Sequence, residues 1–201
     1  MVNENVRPHT ILCVGGPSGI GKTTLISQMM SRYPEQLGTI VSVTTRPPRP
    51  NEVDGVDYHF LTKEQFIEKE AKSEFMETTF IHNNYYGTYK KDYCSGKDVI
   101  IPVDYVGYLQ ISTLYPKEAM GVWLVPYNLD QLTDAFEKRC ANDPNMTPEK
   151  VRSRKSHMVK EISQKNYIPY TIQVDSNNYN KALEDLDCLY RSSKMRSYNF
   201  Y

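Results

Sequence analysis

The run Gly16-Pro17-Ser18-Gly19-Ile20-Gly21-Lys22-Thr23 fits the phosphate-binding loop pattern Gly-x-x-x-x-Gly-Lys-Thr at every fixed position. The pattern demands one local arrangement: a strand, a glycine loop and the start of a helix. The flanks agree with it. Ile11-Leu12-Cys13-Val14 is the short apolar run expected of a strand buried on both faces. Thr24-Leu25-Ile26-Ser27-Gln28-Met29-Met30 reads as a helix that stops before Pro34. In such a loop the glycines let backbone N–H groups converge on phosphate oxygens, and the helix N-terminus adds the positive end of a dipole. Gly16, Pro17, Ser18, Gly19, Ile20, Gly21, Lys22, Thr23 and Thr24 are therefore the candidate residues for binding a nucleoside triphosphate or a similar ligand. Lys22 would reach the outer phosphates, and the Thr23 hydroxyl would ligate Mg²⁺.

Charge composition makes any further anion site a local matter. The 201-residue chain carries 24 Lys+Arg against 24 Asp+Glu, so no global field points to nucleic acid or a membrane surface as partner. No apolar stretch approaches the ~20 residues of a spanning helix, and Met1 to Thr10 has neither a signal-peptide core nor the look of a transit peptide. Cys13, Cys94, Cys140 and Cys188 lack metal-ligand spacing, and His9, His59, His82 and His157 are scattered. The expectation is a cytoplasmic, thiol-reduced protein, monomeric or weakly dimeric, whose partners are small molecules.

The rest of the chain reads as an α/β domain interrupted by a β-rich insertion. Thr39 to Thr45 is a β-branched strand, stopped by Arg46-Pro47-Pro48-Arg49-Pro50. Tyr58-His59-Phe60-Leu61 is a second short strand, and Thr62 with Gln65 forms a capping box for a helix running to about Lys72. Phe75 to Ile81 alternates as a strand, and Asn83 to Thr88 is a turn leading into another. Buried-type strands then return at Asp98-Val99-Ile100-Ile101 and Gly121 to Val125. Helices are expected over Gln131–Arg139 and about 148–166, a strand at Thr171-Ile172-Gln173-Val174 and a last helix from Tyr179 to Tyr190. Thr147-Pro148-Glu149 is a good helix start, with Thr as cap and Pro at the first position. Strands alternating with helices imply a mainly parallel sheet of the P-loop NTPase type, flanked by helices.

After the loop come Ser42-Val43-Thr44-Thr45-Arg46-Pro47-Pro48-Arg49-Pro50-Asn51-Glu52-Val53-Asp54-Gly55-Val56-Asp57-Tyr58, then Phe75-Met76-Glu77, then Asn84-Tyr85-Tyr86-Gly87-Thr88. These motifs, in this order, closely resemble the guanylate kinase family of P-loop nucleoside monophosphate kinases, over about Thr10 to Leu186. The resemblance implies ATP-dependent phosphorylation of GMP to GDP with Mg²⁺. It also implies one domain in three parts. The core is about 10–40, 91–130 and 166–190, the inserted mixed-β GMP-binding subdomain about 41–90 and the helical lid about 131–165. The tail, 191–201, is expected to be peripheral. By similarity Ser42, Arg46, Arg49, Tyr58 and Tyr86 cradle the GMP phosphate, Glu77 and Thr88 read guanine, and Asp104 lies near the base. Arg139 and Arg154 match lid arginines that close over the phosphoryl group, and Glu161 matches a position that fixes the lid helix. Lys22, Arg46, Arg139 and Arg154 are the expected catalytic set. Lys150 and Lys160 are read as a solvated helix face.

The chemistry suits the residues. A phosphate dianion must approach a γ-phosphate, so cations have to screen like charges, and arginine forks match phosphate oxygens better than lysine does. Glu77 can accept from the guanine N1–H and 2-amino group, whereas adenine would leave it unpaired. The chain departs from the family pattern at Pro102, where an aspartate is usual, at Val106, at Ala135 in place of the first lid arginine, and in the turn Asp175-Ser176-Asn177-Asn178. Slow turnover, or unusual dependence on Mg²⁺ concentration, would follow. Two alternatives stay open on the sequence: a non-catalytic guanylate kinase-like module that binds GMP or a protein, and another small P-loop kinase.

Overall fold

Ile11, Leu12, Cys13, Val14 and Gly15 form β1 (Ile11–Gly15), buried at every position because parallel strands flank it on both sides and helices cover both faces. The structure is a computed structural model that describes residues 9–94, 97–141 and 146–196. β1 pairs with β7 (Asp98–Pro102) and β8 (Ala119–Pro126). The sheet is completed by β2 (Leu37–Gly38) beside β7 and β9 (Tyr170–Val174) beside β8. All four pairings are parallel, in the order β2-β7-β1-β8-β9.

Strand alternation sends Leu12 and Val14 to one face, where they pack with Leu25 and Met29 of α1 (Lys22–Arg32), Phe136 of α4 (Leu129–Ala141) and Leu186 of α6 (Tyr179–Arg196). Ile11 and Cys13 face the other way, into a core with Ile101, Trp123 and, from α3 (Tyr105–Leu114), Tyr108 and Ile111. This is the parallel α/β fold that the sequence implies.

The insertion forms a separate sheet, ordered β4-β3-β6-β5, from β3 (Val43–Thr44), β4 (His59–Phe60), β5 (Phe75–Ile81) and β6 (Asn84–Tyr89). It is mixed: β3 runs parallel to β4 and antiparallel to β6, and β5 runs antiparallel to β6. Its small core is aromatic. Phe66 of α2 (Lys63–Ala71) stacks on Phe75 with centroids 4.6 Å apart, and Phe75 stacks on Tyr89 at 5.1 Å. The Thr62–Gln65 capping box is present, with Gln65 N–H donating to Thr62 Oγ1 at 3.2 Å and Thr62 N–H to Gln65 Oε1 at 2.9 Å. Helix α5 (Pro148–Ser163) starts at the expected Thr147 cap and runs into a 3₁₀ turn over Gln164–Tyr167.

The structure differs from the sequence reading in three elements. The strand expected over Thr39–Thr45 is reduced to β3 (Val43–Thr44) in the inserted sheet, because the chain leaves the core sheet after β2 (Leu37–Gly38) and crosses to the insertion over the residues between. Helix α3 was not foreseen. Its Tyr, Val, Ile and Thr residues and Gly107 are poor helix formers, and apolar residues run around it without a clean stripe. It forms because Asp104 caps it and Tyr108 and Ile111 bury against the sheet. Helix α6 continues past Tyr190 to Arg196. Its last turns are held by Asp98, which is almost wholly buried and accepts from Tyr190 OH at 2.7 Å and Thr10 N–H at 2.8 Å, with Lys194 Nζ 3.6 Å away.

Candidate active site

At the C-terminal end of β1 the chain turns through Gly16, Gly19 and Gly21, all at positive φ, and enters α1 at Lys22. Gly16 is the tightest of these: a Cβ there would sit 2.6 Å from the Leu124 carbonyl oxygen. Lys22 folds back over its own loop and donates from Nζ to the Gly16 and Pro17 carbonyls at 2.6 and 3.0 Å. Tyr179 at the start of α6 braces the loop from below, donating to the Gly21 carbonyl at 2.6 Å. Thr23 and Thr24 lie exposed on the first turn of α1.

Helix α5 is tied to the region of this loop at its far end. The indole N–H of Trp123, on β8, donates to the Glu161 carbonyl at 2.6 Å. The Glu161 carboxyl is pushed above its ordinary range by burial, opposed by the charge of Lys22 and by the Ser18 backbone N–H. Glu161 thus links α5 directly to the phosphate loop. Pro102 pairs with Val14 in the β1–β7 register, so the usual aspartate of the family pattern would stand next to the loop. Ala135 is exposed on α4, Val106 is exposed on α3, and the side chain of Arg139 lies outside those described.

Glu77 and Thr88 face one another across the β5–β6 pair, and Thr88 Oγ1 donates to Glu77 Oε1 at 2.7 Å. Burial pushes the Glu77 carboxyl up to about 7, the Asp104 charge adds to the rise and the Thr88 bond opposes it. Asp104 accepts from Gly107 N–H through Oδ1 and from Thr79 Oγ1 through Oδ2, both at 2.7 Å. Gln110 clamps β5 from α3 by bonding both the N–H and the carbonyl of Thr78, at 3.1 and 2.7 Å. Glu77, Thr88 and Asp104, far apart in sequence, are therefore brought together.

Gly107 makes this approach possible, since a Cβ there would lie 2.7 Å from Glu77 Oε2. Gly107→Ala is expected to displace the carboxyl, to which the family resemblance gives the reading of guanine, and so to raise the KM for GMP about 10- to 100-fold. The KM for ATP should hardly change. Steady-state kinetics with each substrate varied in turn checks this, and an unchanged KM for GMP would contradict it.

Arg46 and Arg49 share one counter-ion. Arg46 Nη2 donates to Glu52 Oε1 at 3.0 Å, and Arg49 reaches the same carboxylate through Nη1 at 3.3 Å and its backbone N–H at 2.7 Å. The Arg46 guanidinium is buried, donates also to the Pro47 carbonyl at 2.7 Å, and lies 5.5 Å from the centroid of the Tyr58 ring. Tyr58 meets Tyr86 edge-on at 6.3 Å, and burial raises the Tyr58 hydroxyl above its usual range. Ser42, half-buried, accepts through its carbonyl from His59 N–H at 2.9 Å.

A cavity of about 520 Å³ separates Arg46 and Arg49 from Lys150 and Arg154 of α5, with the β5–β6 turn (82–84) at its edge. His82 of that turn meets His157 of α5, with ring centroids 5.0 Å apart. A larger cavity, about 700 Å³, runs along β9 and α6 beside the turn that holds Asp175 and Asn178. Its lining lacks the clustered arginines of the smaller one, so chemistry rather than size identifies the candidate site.

Sequence reasoning singled out the arginines but passed over Glu52, Thr79, Gly107 and Gln110. Only Glu52, six residues after Arg46, could have been suspected from spacing.

The model of the family described as guanylate kinase matches residues 8–193. A guanylate kinase of Paraburkholderia xenovorans is 31% identical over 193 residues, covering 94% of this chain and 82% of the relative. One of Maricaulis maris is 34% identical over 194 residues, covering 94% and 86%. In three dimensions the chain resembles the guanylate kinase of Anaplasma phagocytophilum, with a TM-score of 0.71, 20% identity and coverage of 94% of this chain and 88% of that one.

Proposed function

The chain belongs to the guanylate kinase family, and from that premise we propose how its residues phosphorylate GMP. The enzyme is an ATP-dependent kinase that converts GMP to GDP. An oxygen of the GMP phosphate forms a bond to the γ-phosphorus of ATP as the bond from that phosphorus to the β–γ bridging oxygen breaks, giving GDP and ADP in line. No strong base is needed, because the GMP phosphate is already ionised.

One observation carries the assignment of parts. The carboxyl pair Glu77–Asp104 and the arginine pair Arg46–Arg49 both lie on or beside the inserted sheet, and Arg154 of α5 faces the arginines across a cavity. In this reading Glu77 and Thr88 hold guanine, with Asp104 supporting Glu77. Ser42, Arg46, Arg49, Tyr58 and Tyr86 hold the GMP phosphate. Residues Gly16 to Thr24 hold the ATP phosphates. Lys22, now bonded to its own loop carbonyls, turns toward the triphosphate and follows the migrating charge, while Arg46, Arg139 and Arg154 stabilise the transition state. The inserted subdomain (41–90) and the lid (131–165) close over the substrates and exclude water.

Among the described residues no group of three or more His, Cys, Asp or Glu side chains is placed to hold a metal ion. The exposed Thr23 hydroxyl beside the loop suits Mg²⁺ all the same, since that ion keeps most of its waters and takes further oxygens from substrate phosphates. Thr23 would hold it, and the ion would neutralise charge on the β- and γ-phosphates. No described helix is long and apolar enough to cross a membrane. The proposed setting is the cytoplasm, where both nucleotides are present, with the protein a monomer or weak dimer.

The test is formation of ADP and GDP from ATP, Mg²⁺ and GMP, with AMP, CMP and UMP as parallel acceptors. GMP-selective turnover supports the reading. Bound GMP without turnover, even at high Mg²⁺, would replace it with a binding module.

A further inference from the structure

Four cations meet across the 520 Å³ cavity: Arg46 and Arg49 on one wall, Lys150 and Arg154 on the other. None of its described lining residues is acidic. Three of the four have roles above. Lys150 has none, and its pattern in the sequence suggests only a solvated helix face.

Two observations give it more. Lys150 is the third residue of α5, where the Thr147 cap receives its backbone N–H. A cation in the first turn opposes the helix dipole, so the dipole does not favour a lysine at this position. The second observation lies on α4, where Phe136 is the point of approach to the phosphate loop: a Cβ on Gly19 would be 3.5 Å from the Phe136 backbone. The residue just before it is Ala135, so this wall brings no charge to the loop from that position. A reaction that drives two phosphates together needs charge where α4 withholds it.

Resting on the guanylate kinase reading, we infer that Lys150 is a further catalytic residue. Its ammonium donates to the phosphoryl group in transit when the lid closes, in place of the cation absent at position 135. A lysine can serve there because its charge is compact and its donors rotate, so it can follow a moving oxygen without the fixed fork of arginine.

The experiment compares wild type, K150Q, K150R and the double variant K150Q/A135R, with melting temperatures measured alongside. K150Q is expected to lower kcat about 10- to 100-fold while leaving the KM values for GMP and ATP little changed. K150R should keep most of the wild-type kcat, and A135R should restore part of what K150Q loses. A K150Q enzyme with wild-type kcat would overturn the inference. So would equal losses in K150Q and K150R accompanied by equal drops in melting temperature, which mark a structural role. Wild-type protein unable to phosphorylate GMP would instead overturn the reading of the reaction itself.

Discussion

Lys22→Ala is expected to lower kcat for GMP phosphorylation at least ~10³-fold, the scale of removing a charge that tracks the transferring phosphoryl group. The resting structure makes the expectation specific. Lys22 Nζ is bonded to the Gly16 and Pro17 carbonyls, so it is held over the loop before any nucleotide arrives. It also offsets the buried Glu161 carboxyl. Removing the lysine therefore has a second effect, leaving Glu161 with less reason to ionise. Lys22→Met, closer in shape, should lose kcat equally while keeping more of the fold. Single-turnover kinetics with saturating ATP separates the chemical step from binding, and a Lys22→Met enzyme within tenfold of wild type would exclude this role.

Glu77→Gln should reduce kcat/KM for GMP by about 10²- to 10³-fold, because an amide can accept from only one of two neighbouring guanine donors and sets its own N–H₂ against the other. The KM for ATP should stay near its wild-type value, and equal loss for both nucleotides would count against base reading. The same residue predicts a pH dependence. The Glu77 carboxyl titrates at about 7 in the nucleotide-free protein, raised chiefly by burial. Guanine donors favour the ionised form, so GMP affinity should fall as pH drops through about 7 and level off above it. For stability the sign is opposite. A carboxyl raised in the folded state contributes stability below its unfolded value of 4.5, and that contribution is lost as pH rises through about 7. GMP should therefore raise the melting temperature more at pH 8 than at pH 5.5, and in Glu77→Gln this difference should shrink.

How far the sequence reaches depends on how local the determinant is. The phosphate loop, the Thr62–Gln65 box and the Thr147 cap were readable because each is decided within a few residues. Helix α3 was not, because its own residues argue weakly for a helix and its stability comes from Asp104 and from packing on a sheet built of distant strands. The strand expected at Thr39–Thr45 has the right composition, but composition does not say that most of this segment is the crossing from one sheet to the other, which leaves only Val43–Thr44 paired. In the candidate site, Glu77 and Arg46 were singled out through family motifs. The contact at Gly107 was not readable, because it is the absence of a side chain against a carboxyl thirty positions earlier in the chain. Glu52 looked like one more acid in a polar turn until the fold set it between two guanidiniums.

Helix α6 holds the Gly21 carbonyl through Tyr179 and the start of β1 through the contacts of Tyr190 and Thr10 on Asp98. The nucleotide loop, encoded near the beginning of the chain, thus takes its final braces from segments made about 160 residues later. During synthesis the loop must wait, translated but unsupported, until α6 has cleared the ribosome and docked. Competence to bind ATP is therefore a late event in the life of the nascent chain.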